Sequence, residues 1–96
     1  MTIRNTPSIM TDDMTRCYLC GKMAEEVHHV IGGPFRPKST KYGLVVPLCR
    51  ACHNLPPNGV HFNRERMDAL RADAQRKFAE RYPDLDWMQI FKRNYL

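Results

Sequence analysis

Cys17-Tyr18-Leu19-Cys20 and Cys49-Arg50-Ala51-Cys52 are two Cys-x-x-Cys pairs with 28 residues between them. The short spacer lets both sulfurs of a pair face one ion. Two pairs then supply the four soft ligands of a closed tetrahedral zinc site. Cys17, Cys20, Cys49 and Cys52 are therefore assigned to a structural Zn2+ that stabilises the fold and leaves no open position for substrate. The intervening segment is longer than a short zinc ribbon needs. It carries His28 and His29, while His53 directly follows the second pair and His61 lies eight residues further on. A lone histidine usually satisfies a structural hydrogen bond. Four placed around one cysteine frame point to a second site with different chemistry.

Hydrolysis of a phosphodiester fits that set. It needs a base to activate water, a cation to neutralise charge on the phosphate and leaving oxygen, and groups that hold the phosphate. Neighbouring residues of a strand point to opposite faces. One of His28 and His29 can thus bind metal while the other acts on water, if a local bend brings both to the site. His53, tied by its backbone to Cys52, would be held rigidly by the structural zinc.

The elements that must position these residues are readable in outline. Glu25 to Ile31 alternates as a strand, with Glu26, His28 and Val30 on one face and Val27, His29 and Ile31 on the other. It stops at Gly32-Gly33-Pro34. Pro34 to Lys41 reads as a basic, proline-containing loop. Gly43 to Leu48 reads as a second strand, with Pro47 arguing for an edge or a bulge. Cys49 to Asn54 opens a helical turn that Leu55-Pro56-Pro57-Asn58-Gly59 interrupts. Asn63 is a good N-cap for a helix over 64–81, where Met67, Leu70, Ala74 and Phe78 recur at helical spacing. Pro83 ends it. Asp84 is expected to cap a last helix over 84–93, with Leu85, Met88 and Phe91 aligned and Trp87 and Ile90 alongside as a core stripe. Residues 1–14 read as a loose arm and 15–96 as one domain.

The chain has 96 residues, a formal charge of +5 and an isoelectric point near 9.3. A domain this small often depends on a metal staple. Residues 14–61 carry six Lys or Arg against two Glu, so the cysteine-bearing half is the more cationic and suits a polyanion partner. Arg36, Lys38, Lys41 and Arg50 are the candidate phosphate contacts. No stretch approaches a membrane span and no secretory leader is visible, so a cytoplasmic, reducing home is expected. There, paired Cys-x-x-Cys reads as metal rather than disulfide.

Glu26-Val27-His28-His29-Val30, flanked by Cys17-x-x-Cys20 and followed by Leu48-Cys49-Arg50-Ala51-Cys52-His53, resembles the HNH endonuclease family in its cysteine-rich form. The resemblance covers about residues 17–63. It implies an α+β fold of the ββα-metal kind, a two-stranded ribbon and a helix clasping one divalent cation, followed here by two C-terminal helices. It implies His29 as general base, with His28 and His53 as ligands of the catalytic ion. A further helical ligand falls nearest to His61, with Asn54 and Asn63 as substitutes. The ion would be Mg2+, Mn2+, Ni2+ or Zn2+, and an imidazole-rich site favours the last three. The partner implied is DNA. The tail, with Asn58-Gly59-Val60-His61-Phe62-Asn63 and Asn94-Tyr95-Leu96, also looks like small HNH proteins of phages and prophages, which implies phage DNA-processing or packaging partners in a bacterial host. Either a monomer or a homodimer through the C-terminal helices agrees with the sequence. One departure stands out: the family's middle Asn or His falls on Leu44, so His29 needs another orienting group, such as a backbone carbonyl.

The main rival is a non-catalytic zinc module that binds nucleic acid or protein. Three other readings fit less well. Redox chemistry at one Cys-x-x-Cys lacks a thioredoxin-like pattern. A zinc deaminase lacks its His-x-Glu. A DNA-reading finger with two cysteine and two histidine ligands needs closer histidines than His53 and His61.

Overall fold

The computed structural model describes residues 7–96. Strand β1 (Glu26–His29) pairs antiparallel with β2 (Val45–Leu48), placing His28 opposite Val46 and His29 opposite Val45. Helix α1 (Arg36–Tyr42) lies between them in sequence. Helix α2 (Arg50–Asn54) follows β2, and then come α3 (Arg64–Arg81) and α4 (Trp87–Phe91). The architecture is α+β: one two-stranded ribbon, helices around it, and a cysteine cluster able to bind metal. No helix among the described residues is long and apolar enough to cross a membrane.

β2 is buried at every position, and Leu44 just before it is also fully buried. Pro47 causes no break, because a two-stranded ribbon has only edge strands and the Pro47 carbonyl still accepts from the Tyr18 N–H at 2.8 Å. Asn63 caps α3 as its sequence suggests, its Oδ1 accepting from the Arg66 N–H. Leu70, Ala74 and Phe78 face the core. Phe78 sits 5.3 Å from the Trp87 ring, 5.4 Å from Tyr42 and 6.0 Å from Phe91, so aromatic edges hold α1, α3 and α4 together.

Three expectations need correction. The basic loop after β1 is largely helical. Pro34 and Pro37 sit in the first turns of a 3-10 turn (Gly33–Phe35) and of α1, where a missing N–H costs nothing. Gly43 then ends α1 in the left-handed conformation at φ 75°. Buried Ser39 pins the helix to the end of β1, donating to the Ile31 carbonyl at 2.6 Å and accepting from its N–H at 3.1 Å. Secondly, the last helix starts later and is shorter than 84–93. A turn closed by the Leu85 N–H on the Tyr82 carbonyl uses up 82–85, and Asp86, not Asp84, caps α4 through the Met88 N–H. The register therefore buries Trp87 and Phe91, while Leu85 and Met88 are exposed. Thirdly, the arm is bound from Ser8 onward. Ser8 Oγ donates to the Val45 carbonyl, the Ile9 N–H donates to Gly43, and Met10 and Met14 are buried. Residues 1–6 of the expected arm lie outside the described residues.

Candidate functional site

The first Cys pair sits in a tight turn. The Gly21 N–H donates to the Cys17 carbonyl, and Gly21 takes φ 79°, which a glycine adopts without strain. The second pair straddles the start of α2, with Cys49 at its N-cap. This brings one sulfur from each of Cys17, Cys20, Cys49 and Cys52 within 4.8 Å of the others. The Cys20 and Cys49 sulfurs are 3.6 Å apart, far beyond a disulfide bond of about 2.0 Å. A tetrahedral zinc with bonds of about 2.3 Å requires sulfurs about 3.8 Å apart, so the cluster fits zinc. Burial pushes the Cys17 thiol up, but backbone N–H groups of Cys49, Cys20 and Leu19 outweigh it and bring it down to about 6. Burial and the neighbouring sulfurs push Cys52 up to about 12. The set is thus primed to lose its first proton easily and its last only against a cation. Arg66 on α3 adds a further counter-charge, its Nη2 donating to Cys52 Sγ at 3.7 Å.

The second cluster joins three elements. His28 comes from β1, His53 from α2 and His61 from the segment before α3. One nitrogen from each lies within 4.8 Å of the others, and the ring centroids are 4.9, 5.1 and 5.3 Å apart. The eight-residue gap from His53 to His61 is closed by a folded-back loop. The Gly59 N–H donates to Leu55, the Val60 N–H to Cys52 and the His61 N–H to His53. Gly59 is needed there, since a Cβ would lie 2.6 Å from both Leu55 N and O. Asn63 is occupied as a helix cap, and Asn54 is exposed at the end of α2.

Protonation and hydrogen bonding suit metal ligation. Glu26 Oε1 lies 2.6 Å from His53 Nδ1 and accepts a hydrogen bond from it, so the other ring nitrogen, Nε2, is the one facing His61 Nε2 at 3.1 Å. His28 Nε2 is buried and has no hydrogen-bond partner among the described residues. Hydrogen bonding within the triad leaves that nitrogen orphaned, whereas a shared cation satisfies all three rings. Burial, reinforced by the neighbouring His53 and His61, holds His28 down to about 3. Burial and then His53 lower His61 too. Both are neutral donors at neutral pH.

His29 points to the other side of β1 yet reaches the same place. A recess of about 220 Å3 is lined by His28, His29, Gly32, Gly33, Arg36 and His61. The backbone turns at Gly32-Gly33, which line the same recess, with Gly33 at φ 59°. Burial, and then Arg36, lower the His29 pKa, so it is a neutral base. No hydrogen bond to either His29 ring nitrogen occurs among the described residues. Leu44, at the position where an orienting polar group was sought, is a fully buried apolar side chain, and its carbonyl accepts from the Val30 N–H just after β1 at 3.0 Å.

The four candidate phosphate contacts separate. Arg36 lines the recess. Lys38 is drawn to the Ile90 carbonyl and the Phe35 ring, and Lys41 lies over Tyr42. Arg50 is exposed at the first turn of α2, where its backbone N–H donates to Glu25. Sequence reasoning missed Glu26, Arg66 and Arg71. Glu26 had a signal, for it lies two residues before His28 on the same strand face. The arginines had none, being ordinary charged positions of α3. Arg71 acts electrostatically on both His28 and His61. Comparison with protein-family models, curated proteins and solved structures finds no match to this chain.

Proposed function

We propose that this chain is a metal-dependent endonuclease of the HNH type, hydrolysing DNA phosphodiester bonds on a ββα-metal core made by β1, β2 and α2. The observation that carries the reading is the convergence of His28, His53 and His61 on one point, with His29 opening onto the same recess. His28, His53 and His61 would hold a divalent cation, which when bound neutralises charge on the phosphate and the leaving 3′ oxygen. Glu26 fixes the His53 tautomer and aims its Nε2 inward. Neutral His29 takes a proton from the attacking water. Arg36 stands beside it to meet the phosphate. Three imidazoles favour Mn2+, Ni2+ or Zn2+ over Mg2+.

The test is relaxation of supercoiled plasmid by protein of measured zinc content, with Mg2+, Mn2+ and Ni2+ titrated in turn and His29→Ala run alongside. Cleavage that needs the ion and falls about 100-fold or more in a folded, zinc-loaded His29→Ala supports the reading. Absence of cleavage with every ion overturns it. Two observations favour a second reading, a non-catalytic zinc module that binds nucleic acid or protein: Leu44 is buried, and no hydrogen bond to the His29 ring occurs among the described residues. That module would retain DNA without cutting it.

A further inference from the structure

His61 stands between two concavities. On one side is the recess with His29 and Arg36. On the other is a groove of about 550 Å3, lined by His61, Phe62, Arg64, Met67, Arg71 and Arg93 among others. Its charge is unbalanced. Asp68 pairs with both Arg64, at 3.4 Å, and Arg71, at 3.1 Å, while Arg93 has no carboxylate partner among the described residues. Arg71 and Arg93 lie against the Tyr95 ring at 5.5 and 5.4 Å, which orders both guanidinium groups. The Nε of Arg71 is buried and finds no acceptor among the described residues. Beside this stands Phe62, a large apolar ring left 59% exposed.

Cations that track a backbone together with a bare aromatic face are what an unpaired strand requires. A duplex keeps its bases stacked on one another and offers no free face to Phe62. We propose that the groove binds a single-stranded stretch of nucleic acid, with Arg71 and Arg93 on a backbone phosphate and Phe62 stacked on a base. This rests on the nuclease reading in one respect: the strand then continues across His61 to Arg36, and the scissile phosphate is the next one along.

The test uses the full, zinc-loaded chain without a second divalent cation, so that no substrate is cut. Fluorescence anisotropy compares a labelled DNA single strand with the duplex of the same sequence, over a range of salt. Phe62→Ala and Arg93→Gln change exposed side chains, and zinc content and circular dichroism check their folding. Tighter binding of the single strand is expected, weakened about tenfold or more by Phe62→Ala. Arg93→Gln should also lower the salt slope by about 0.7. Equal affinity for duplex and single strand, or unchanged affinity in both variants, overturns the proposal. Groove binding without plasmid cleavage would sink the nuclease reading and leave the groove standing.

Discussion

Burial of His28 ties the stability of the protein to pH. The side chain is 4% exposed and its pKa is held at about 3, against about 6.5 in an unfolded chain. The folded state therefore resists a proton that the unfolded state accepts. The contribution is fully present above pH 6.5 and is lost as pH falls from there towards 3. Each unit within that window removes about 1.4 kcal/mol, so the loss between pH 7.5 and pH 5 is about 2 kcal/mol for this one residue. Other imidazoles titrate near the same range, and a metal held by the four cysteines would compete with protons there. The clean measurement is thus a difference between wild type and His28→Leu. Urea unfolding would be followed at each pH with zinc held at one equivalent. The variant is expected to lack the His28 slope, so the wild type should lose about 2 kcal/mol relative to it as pH drops to 5. Parallel curves would refute the argument, since they mean that His28 takes up its proton as readily folded as unfolded.

Glu26→Gln keeps the shape but removes the charge that aims His53, and should weaken second-metal binding about 10- to 100-fold with the zinc of the four-cysteine site retained. Calorimetric titration of Mn2+ or Ni2+ into zinc-loaded protein checks this, and an unchanged isotherm counts against it. Gly59→Ala forces the loop open, endangering the Gly59–Leu55 and Val60–Cys52 hydrogen bonds at about 1 kcal/mol each. It should lower stability by about 2 kcal/mol and detach His61 from the triad, seen as weaker second-metal binding. Cys52→Ser, or a strong chelator, should remove the structural zinc and most of the tertiary fold, seen as lost near-ultraviolet circular dichroism. A fully folded zinc-free protein would show that the cysteine cluster is dispensable.

The residues themselves determined whatever rests on short-range geometry. Two-residue spacers bring paired sulfurs to one place, alternation put Glu26 and His28 on one face of β1, and a 3.6-residue period with Asn63 ahead of it delimited α3 at 64–81. The same local logic failed where two conformations share one composition. A proline-containing basic stretch is a loop or a helix start, and only the buried Ser39 bridge to Ile31 decides for α1. Likewise, 82–85 had to close a turn before α4 could bury Trp87 and Phe91. The site shows the division most plainly. His28, His29 and His53 stood out by type and position, but the gap to His61 is bridged only by the fold-back at Gly59. Arg66 reaches Cys52 from 14 residues away, and Arg71 flanks the triad from a helix whose charges look alike in sequence. Ligand type is written into a residue. Convergence on a common point depends on where distant backbone segments are packed, and only the tertiary structure decides that.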